Sequence, residues 1–377
     1  MIKVNSMPHD PYKALYLHIP FCVKRCGYCD FATRAIDRDD PRIDEYVEQL
    51  VVDIRRFCKQ GELSEIETVY IGGGTPSHIG LNRLSSLLYA LSLSVDLTRD
   101  GLEFTMEANP ESLTERMVLD IWAMGVNRLS LGVQSFDDEV LAILGRAHDA
   151  ARAKEAIETA RLRFDSVSID LMCGVPGQSA SSLEESVKTA VELGIPHVSM
   201  YPLTIEPHTA FDRAVLSGEM QEPDDDVEAE HMQIAAHILE EAGYSRYEVA
   251  SYALPGYESK HNSSYWTGVP YLGIGQNATS MTQNSDRRMR VMNNEVIDDL
   301  DRRQMEAEDL MLGMRMSIGV SDERVAAAAE YLPEVYDVLN DLENEGFLVH
   351  DLSRWRPTTQ GWLCGNDLYG RILDLAP

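Results

Sequence analysis

The sequence predicts an α/β protein: an incomplete parallel (β/α)6 barrel followed by a small C-terminal winged-helix-like α/β module. Three observations lead there. Between residues 14 and 203 the apolar pattern switches repeatedly between the two-residue period of a strand and the 3.6-residue period of a helix. Strands separated by helices of this length must pair in parallel through right-handed crossovers. Polar and glycine-rich residues follow one strand after another, and in a parallel barrel those ends share the face on which active sites form.

Taken in order, the strands are Ala14–Phe21, Thr68–Ile71, Leu102–Met106, Arg128–Val133, Val167–Met172 and Val198–Leu203. The first helix, Ile43–Cys58, carries Ile43, Tyr46, Val47, Leu50, Val51, Ile54 and Phe57 on one face. Further helices read as Leu81–Leu93, Glu115–Met124, 137–144, 149–163 and Ser181–Leu193. At the strand ends lie a cysteine cluster, then Gly72–Pro76, then Glu107 with Asn109, then Gln134, Asp170 and Tyr201. Six units instead of eight leave a lateral opening for a bulky ligand. Beyond Leu203 the acidic run Glu222–Asp226 precedes a helix over 227–242, and residues 244–295 read as irregular. From about residue 305 the chain turns helical again. Helices over 324–331 and 334–345, Gly346 as the stop, and a short wing over 347–349 and 355–358 make the terminal module. The expected units are a barrel over 10–205, a connector over 206–300 and the module over 301–377.

Charge narrows the function. The 377 residues carry 33 Lys+Arg against 62 Asp+Glu, a net of −29, so general affinity for nucleic acid is excluded. The winged-helix-like module invites a DNA-binding reading, but residues 301–377 hold 7 basic and 15 acidic side chains, a net of −8. A lid or partner-docking role suits it better. No apolar run approaches the roughly 18 residues of a membrane helix. The opening residues lack a cleavable-leader pattern, so a cytoplasmic protein without membrane insertion is expected.

Cysteines stand at 22, 26, 29, 58, 173 and 364. The first three have the spacing C-x3-C-x2-C. Three thiolates this close can ligate three irons of a 4Fe-4S cluster and leave the fourth open to chelate S-adenosylmethionine (SAM). A structural zinc site with His18 as fourth ligand is the competing reading, yet zinc motifs pair their cysteines and no second pair exists here. Cys58 and Cys173 read as small core residues. Gly72-Gly73-Gly74-Thr75-Pro76 lets backbone approach a ligand closely, and it does not match a nucleotide P-loop. Gly174, Pro176 and Gly177 form a second such turn.

The cysteine motif, GGGTPS, MEANP, SLGVQSF with GRAH, and IDLMCGVPGQ occur together and in order. They resemble the radical SAM proteins related to oxygen-independent coproporphyrinogen III oxidase, over nearly the whole chain. Two features resemble the haem-chaperone branch of that family: HNSSYW at His261–Trp266, and Phe31 where the oxidase carries an extra cysteine. The resemblance implies a cluster on Cys22, Cys26 and Cys29, with Tyr16 beside it and Tyr28 near the adenine. It implies Gly73, Gly74 and Thr75 at the methionine amino end. Glu107, Gln134, Arg146 and Asp170 would hold the amino-acid and ribose groups. It further implies haem with His261 as ligand, a haem-acceptor protein, and an electron donor such as flavodoxin or ferredoxin. His261 could instead be a structural clamp between domains. The oxidase reaction, or another radical SAM chemistry, is the alternative to chaperoning.

Overall fold

The computed structural model describes residues 8–377. The reading of the leader falls partly on residues 1–7, outside the described residues. Strands β1 (Ala14–Ile19), β2 (Thr68–Gly73), β3 (Glu103–Ala108), β4 (Arg128–Gln134), β5 (Ser166–Cys173) and β6 (His197–Pro202) lie side by side in chain order, all parallel. Helices α1 (Arg42–Gln60), α2 (Leu81–Ser92), α3 (Glu115–Ala123), α4 (Asp138–Leu144), α5 (Ala150–Arg161) and α6 (Ala180–Glu192) fill the crossovers. Side chains alternate across each strand. Leu15 and Leu17, Val69 and Ile71, Phe104 and Met106, Leu129 and Leu131 all pack outward into one core with Leu50, Ile54, Leu84 and Leu87 of the helices. The inward positions are polar, among them Tyr16, Tyr70, Glu107, Ser130 and Asp170. The lumen is therefore held by hydrogen bonds instead of apolar packing.

After α7 (Ala210–Ser217) and α8 (Asp225–Glu241) the structure departs from the expected irregular stretch. Strands β7 (Ser245–Arg246) and β8 (Ser251–Ala253) extend the sheet beyond β6 in antiparallel fashion. Helix α9 (Lys260–Trp266) follows, then β9 (Tyr271–Ile274), β10 (Thr279–Gln283), β11 (Arg287–Met292) and β12 (Glu295–Asp301). β9 lies parallel to β1, Ala14 opposite Tyr271 and Leu17 opposite Ile274, so a seventh parallel strand covers the edge that six units leave bare. β10 to β12 continue as an antiparallel meander, giving the twelve-stranded order β12-β11-β10-β9-β1-β2-β3-β4-β5-β6-β8-β7. Strand β9 is four residues long and rich in Tyr and Gly, too short for a period to declare itself. The β11–β12 hairpin did carry a signal: Asn293 and Asn294 both have positive φ, 50° and 66°, as a two-residue hairpin turn requires.

The terminal module comprises α10 (Arg302–Gly313), α11 (Asp322–Ala329), α12 (Val335–Asn344), the wing strands β13 (Leu348–Asp351) and β14 (Arg354–Pro357), α13 (Thr359–Leu363) and α14 (Gly365–Leu373). It has its own core of Leu310, Met314, Val325, Leu339, Trp355, Leu368 and Ile372. Arg288 of β11, 1 % exposed, ties it to the sheet through Asp309 of α10 at 2.7 Å. No helix among the described residues is long and apolar enough to cross a membrane.

Candidate functional site

The chain leaves β1 directly into the cysteine loop. Phe21 and Cys22 pair in parallel with Arg34 and Ala35, which closes the loop that holds Cys26 and Cys29. All three thiols are free and line one cavity of about 200 Å³ at the carboxyl end of the barrel. Burial pushes the Cys22 thiol up to about 11. Thr75 Oγ1 donates to Cys22 Sγ at 3.5 Å, and Arg146 Nη1 donates to Cys26 Sγ at 3.3 Å. The Thr75 contact works against the effect of burial on Cys22. Among the described residues no three His, Cys, Asp or Glu donors converge on one point, as a single zinc ion would need. A cubane cluster takes one thiolate per iron, so three cysteines spaced around a common cavity fit it.

The glycine turn closes one wall. Gly73 has φ +118°, and a Cβ there would stand 2.6 Å from the His18 ring. A Cβ on Gly74 would meet Cys22 Sγ and the Phe21 carbonyl oxygen, each at 2.9 Å. The sequence reading gave these glycines to ligand approach alone. The structure adds that the chain itself needs the space, because β1 and the cysteine loop cross directly over the turn. Gly73 N donates to Glu107 Oε2 at 3.0 Å while Tyr70 donates its hydroxyl to Oε1 at 2.7 Å. Burial pushes the Glu107 carboxyl up, against those two hydrogen bonds. Burial, with the charge of Glu107, pushes Asp170 up to about 7.

Gln134 ends β4 with φ +69°, where the β4–β5 register breaks. A left-handed glutamine is costly, and here it turns the strand end toward the cavity. Arg146 Nη2 donates to Asn109 Oδ1 at 2.8 Å and to the Gly132 carbonyl at 2.7 Å, while its buried Nε has no partner.

The cavity thus gathers Cys22, Cys26, Cys29, Tyr28, Gly73, Gly74, Glu107, Gln134, Arg146 and Asp170 of the expected residues. Tyr16 and Thr75 stand behind the wall. Tyr16 bonds to His18 Nδ1 at 2.9 Å and stacks on Tyr70, and Thr75 is 1 % exposed with its hydroxyl between Cys22 and Asn109. Asn109, Ser130 and Gly132 belong to the lining without having been assigned a role. The alternation R-L-S-L-G-V-Q along β4 already put the last two on the lumen face.

His261, expected either as a haem ligand or as a clamp between domains, is 1 % exposed at the amino end of the barrel, across the lumen's length from the cysteines. Its Nδ1 bonds to Thr68 Oγ1 at 2.8 Å and its Nε2 to the Tyr265 hydroxyl at 3.0 Å. The ring stacks on Tyr70 at 4.9 Å, and burial pushes its pKa down to about 3, so it is neutral. Both ring nitrogens are occupied, and iron would have to displace one of these bonds. The ends of the helix that carries it are also held. The Glu103 carboxylate accepts from Lys260 N and His261 N, both at 2.9 Å, capping α9. Trp266 Nε1 donates to Glu248 at 3.0 Å, and Arg315 lies over the Trp266 and Tyr369 rings. Helix α9 therefore plugs the barrel base and clamps it to the terminal module.

Known proteins agree with this architecture. The Radical SAM superfamily profile matches residues 16–190, and the HemN C-terminal domain profile matches residues 300–364. The protein named Heme chaperone HemW of Bacillus subtilis is 34 % identical over 382 residues, covering 96 % of this chain and 99 % of its own. The Escherichia coli protein of that name is 40 % identical over 280 residues, covering 74 % and 72 %. Coproporphyrinogen III oxidase (HemN) from Escherichia coli superposes with a TM-score of 0.78 at 21 % identity, over 97 % of this chain and 90 % of its own, a likeness of fold. With a profile of the superfamily on its barrel, the matching C-terminal profile and these relatives along its length, the chain belongs to the radical SAM superfamily, in the family of the heme chaperone HemW.

Proposed function

We propose that this protein binds haem and passes it to an acceptor protein, using a 4Fe-4S cluster on Cys22, Cys26 and Cys29 with SAM in the adjoining cavity. The observation that carries the reading is the alignment with a relative named Heme chaperone HemW over 96 % of this chain. Gly73, Gly74, Glu107, Gln134, Arg146 and Asp170 would hold SAM, with Tyr28 on the adenine side. Arg146 suits the carboxylate, and the acidic and amide groups suit ribose hydroxyls. When bound, cluster and SAM supply one-electron chemistry, and a donor of the flavodoxin or ferredoxin class would feed the cluster. Phe31, 64 % exposed on the cavity rim, offers an apolar face and no thiol. His261 serves this reading as a support of the barrel base, since both its nitrogens are bonded.

The test is a haem titration followed by absorbance, on wild type and Cys22→Ala, with subsequent transfer to an apo haem protein and a parallel incubation with coproporphyrinogen III and reductant. Stoichiometric haem binding in both proteins is expected, with transfer impaired in Cys22→Ala. Absence of haem affinity would overturn the chaperone reading, and decarboxylation over multiple turnovers would replace it by the oxidase.

A further inference from the structure

The cysteine loop inverts the charge of the rest of the chain. Over the whole sequence acids outnumber bases by 62 to 33. Between residues 23 and 35 the bases are Lys24, Arg25 and Arg34, and the one acid is Asp30. All four are exposed, and so are the apolar Val23 and Phe31. With acids in such excess a base finds a partner easily, and the bases on either side of the loop have done so: Lys13 pairs with Glu65 and Arg42 with Asp40. Among the described residues Lys24, Arg25 and Arg34 form no ion pair. Arg25 is tethered by its own loop, where Nε donates to the Cys29 carbonyl at 3.2 Å, and Arg34 Nη2 donates to Gln276 Oε1 at 3.3 Å. Each contact leaves further N–H groups of the guanidinium for an outside acceptor. The acids of neighbouring elements are committed: Glu107 accepts from Tyr70 and Gly73, Glu111 bonds to His148, and Asp212 accepts from His208 N.

This patch borders the thiols. Lys24, Arg25, Asp30 and Phe31 line the same cavity as Cys22, Cys26 and Cys29, and Cys26 and Cys29 are only half-buried. A redox centre on these thiols would meet a protein partner at that mouth. A few exposed apolar side chains among like charges are the makeup of a small transient interface, in which charge orients the encounter and apolar contact completes it. On a chain of net charge −29 the patch is where a negative surface can approach. A bilayer would need a wider basic and apolar face than three cations and two apolar side chains provide.

We infer that Val23, Lys24, Arg25, Phe31 and Arg34 form the docking surface for an acidic one-electron carrier protein, whose redox group thereby stands against the cysteine loop. The carrier is oxidised by one electron and the cluster reduced by one, with no bond made or broken. The transfer step rests on the cluster proposed above; docking does not.

The test starts with the full chain without cluster and an acidic flavodoxin as probe, with binding followed by anisotropy of the labelled flavodoxin. Two paired reversals change the net charge equally, Lys24→Glu with Arg25→Glu on the patch and Arg55→Glu with Lys59→Glu on the exposed side of α1. The patch pair should weaken binding about tenfold, and the α1 pair by less than about twofold. The gap should close near roughly 1 M salt, where the screening length falls to about 3 Å. Phe31→Ser should weaken binding about fivefold at low and high salt alike, because apolar contact is not screened. Lys24→Glu alone, which spares the Arg25 tether, should lose about threefold and covers the case in which the patch pair fails to fold. A second arm uses reconstituted protein: the patch pair should slow cluster reduction by reduced flavodoxin about tenfold and leave reduction by photoreduced deazaflavin, a small molecule, unchanged. Equal losses in the two paired variants, undiminished binding in the patch variants, or no binding in wild type overturn the proposal. Phosphatidylserine vesicles should not sediment the protein; vesicle binding that the patch pair abolishes assigns the surface to a membrane and overturns it as well. If no cluster assembles, the cluster reading fails, and the contrast between patch and α1 pairs still decides the docking surface.

Discussion

At the amino end of the barrel, both ring nitrogens of His261 and of His197 have partners, and Glu103 closes α9 with backbone amides. At the carboxyl end, three free thiols face a cavity, Gln134 sits in a left-handed conformation and Arg146 keeps an unpaired Nε. Both ends are polar. They differ in whether the polar groups have been satisfied from within the chain. Both imidazole nitrogens of His261 are bonded within the fold, while the three thiols stand unjoined at the cavity.

The largest expected effect falls on the carboxyl end. Ala at Cys22, Cys26 or Cys29 should abolish iron and sulfide incorporation on anaerobic reconstitution, measured by metal analysis and absorbance. Ala at Cys58, Cys173 or Cys364 should leave iron content intact. Gly74→Ala belongs with the first group, since its Cβ would press on Cys22 Sγ. Zinc in place of iron would break the comparison at its open end.

The next effect falls on the amino end. His261→Ala removes a fully buried ring and orphans Thr68 and Tyr265, which should cost roughly 3 kcal/mol in urea unfolding. Tyr265→Phe frees Nε2 without removing the ring. If α9 is a clamp, that variant loses roughly 1 kcal/mol of stability and its haem affinity is unchanged. Tighter haem binding in Tyr265→Phe would show that the nitrogen is a ligand held in reserve.

The smallest effect is a pH slope. Asp170 is raised from its ordinary 3.8 to about 7 in the folded chain, so the folded state binds this proton more tightly than the unfolded one. Stability should fall as pH rises from the lower value through the upper one. Asp170→Asn should flatten that part of the urea-midpoint profile, and an unchanged slope would place the proton elsewhere.

The six βα units and the cysteine site could be read in the sequence because each rests on local periodicity or close spacing. The glycine turn was found, but its tight fit against Cys22 depends on β1 crossing it, which no local pattern encodes. The burial of His261 depends on Thr68 and Glu103, far away along the chain.

Strand β9 also sets an order of events. The outer edge of β1 finds its partner in residues 271–274, so it stays unpaired while the intervening chain is still being synthesised. During that interval the six-strand sheet and the thiol loop have all their own residues, but the base has no plug and one strand edge can recruit a stranger. A ribosome that stalls before β9 would release a species prone to aggregate along that open edge, so the seam at β1–β9 closes only after the other six parallel strands exist.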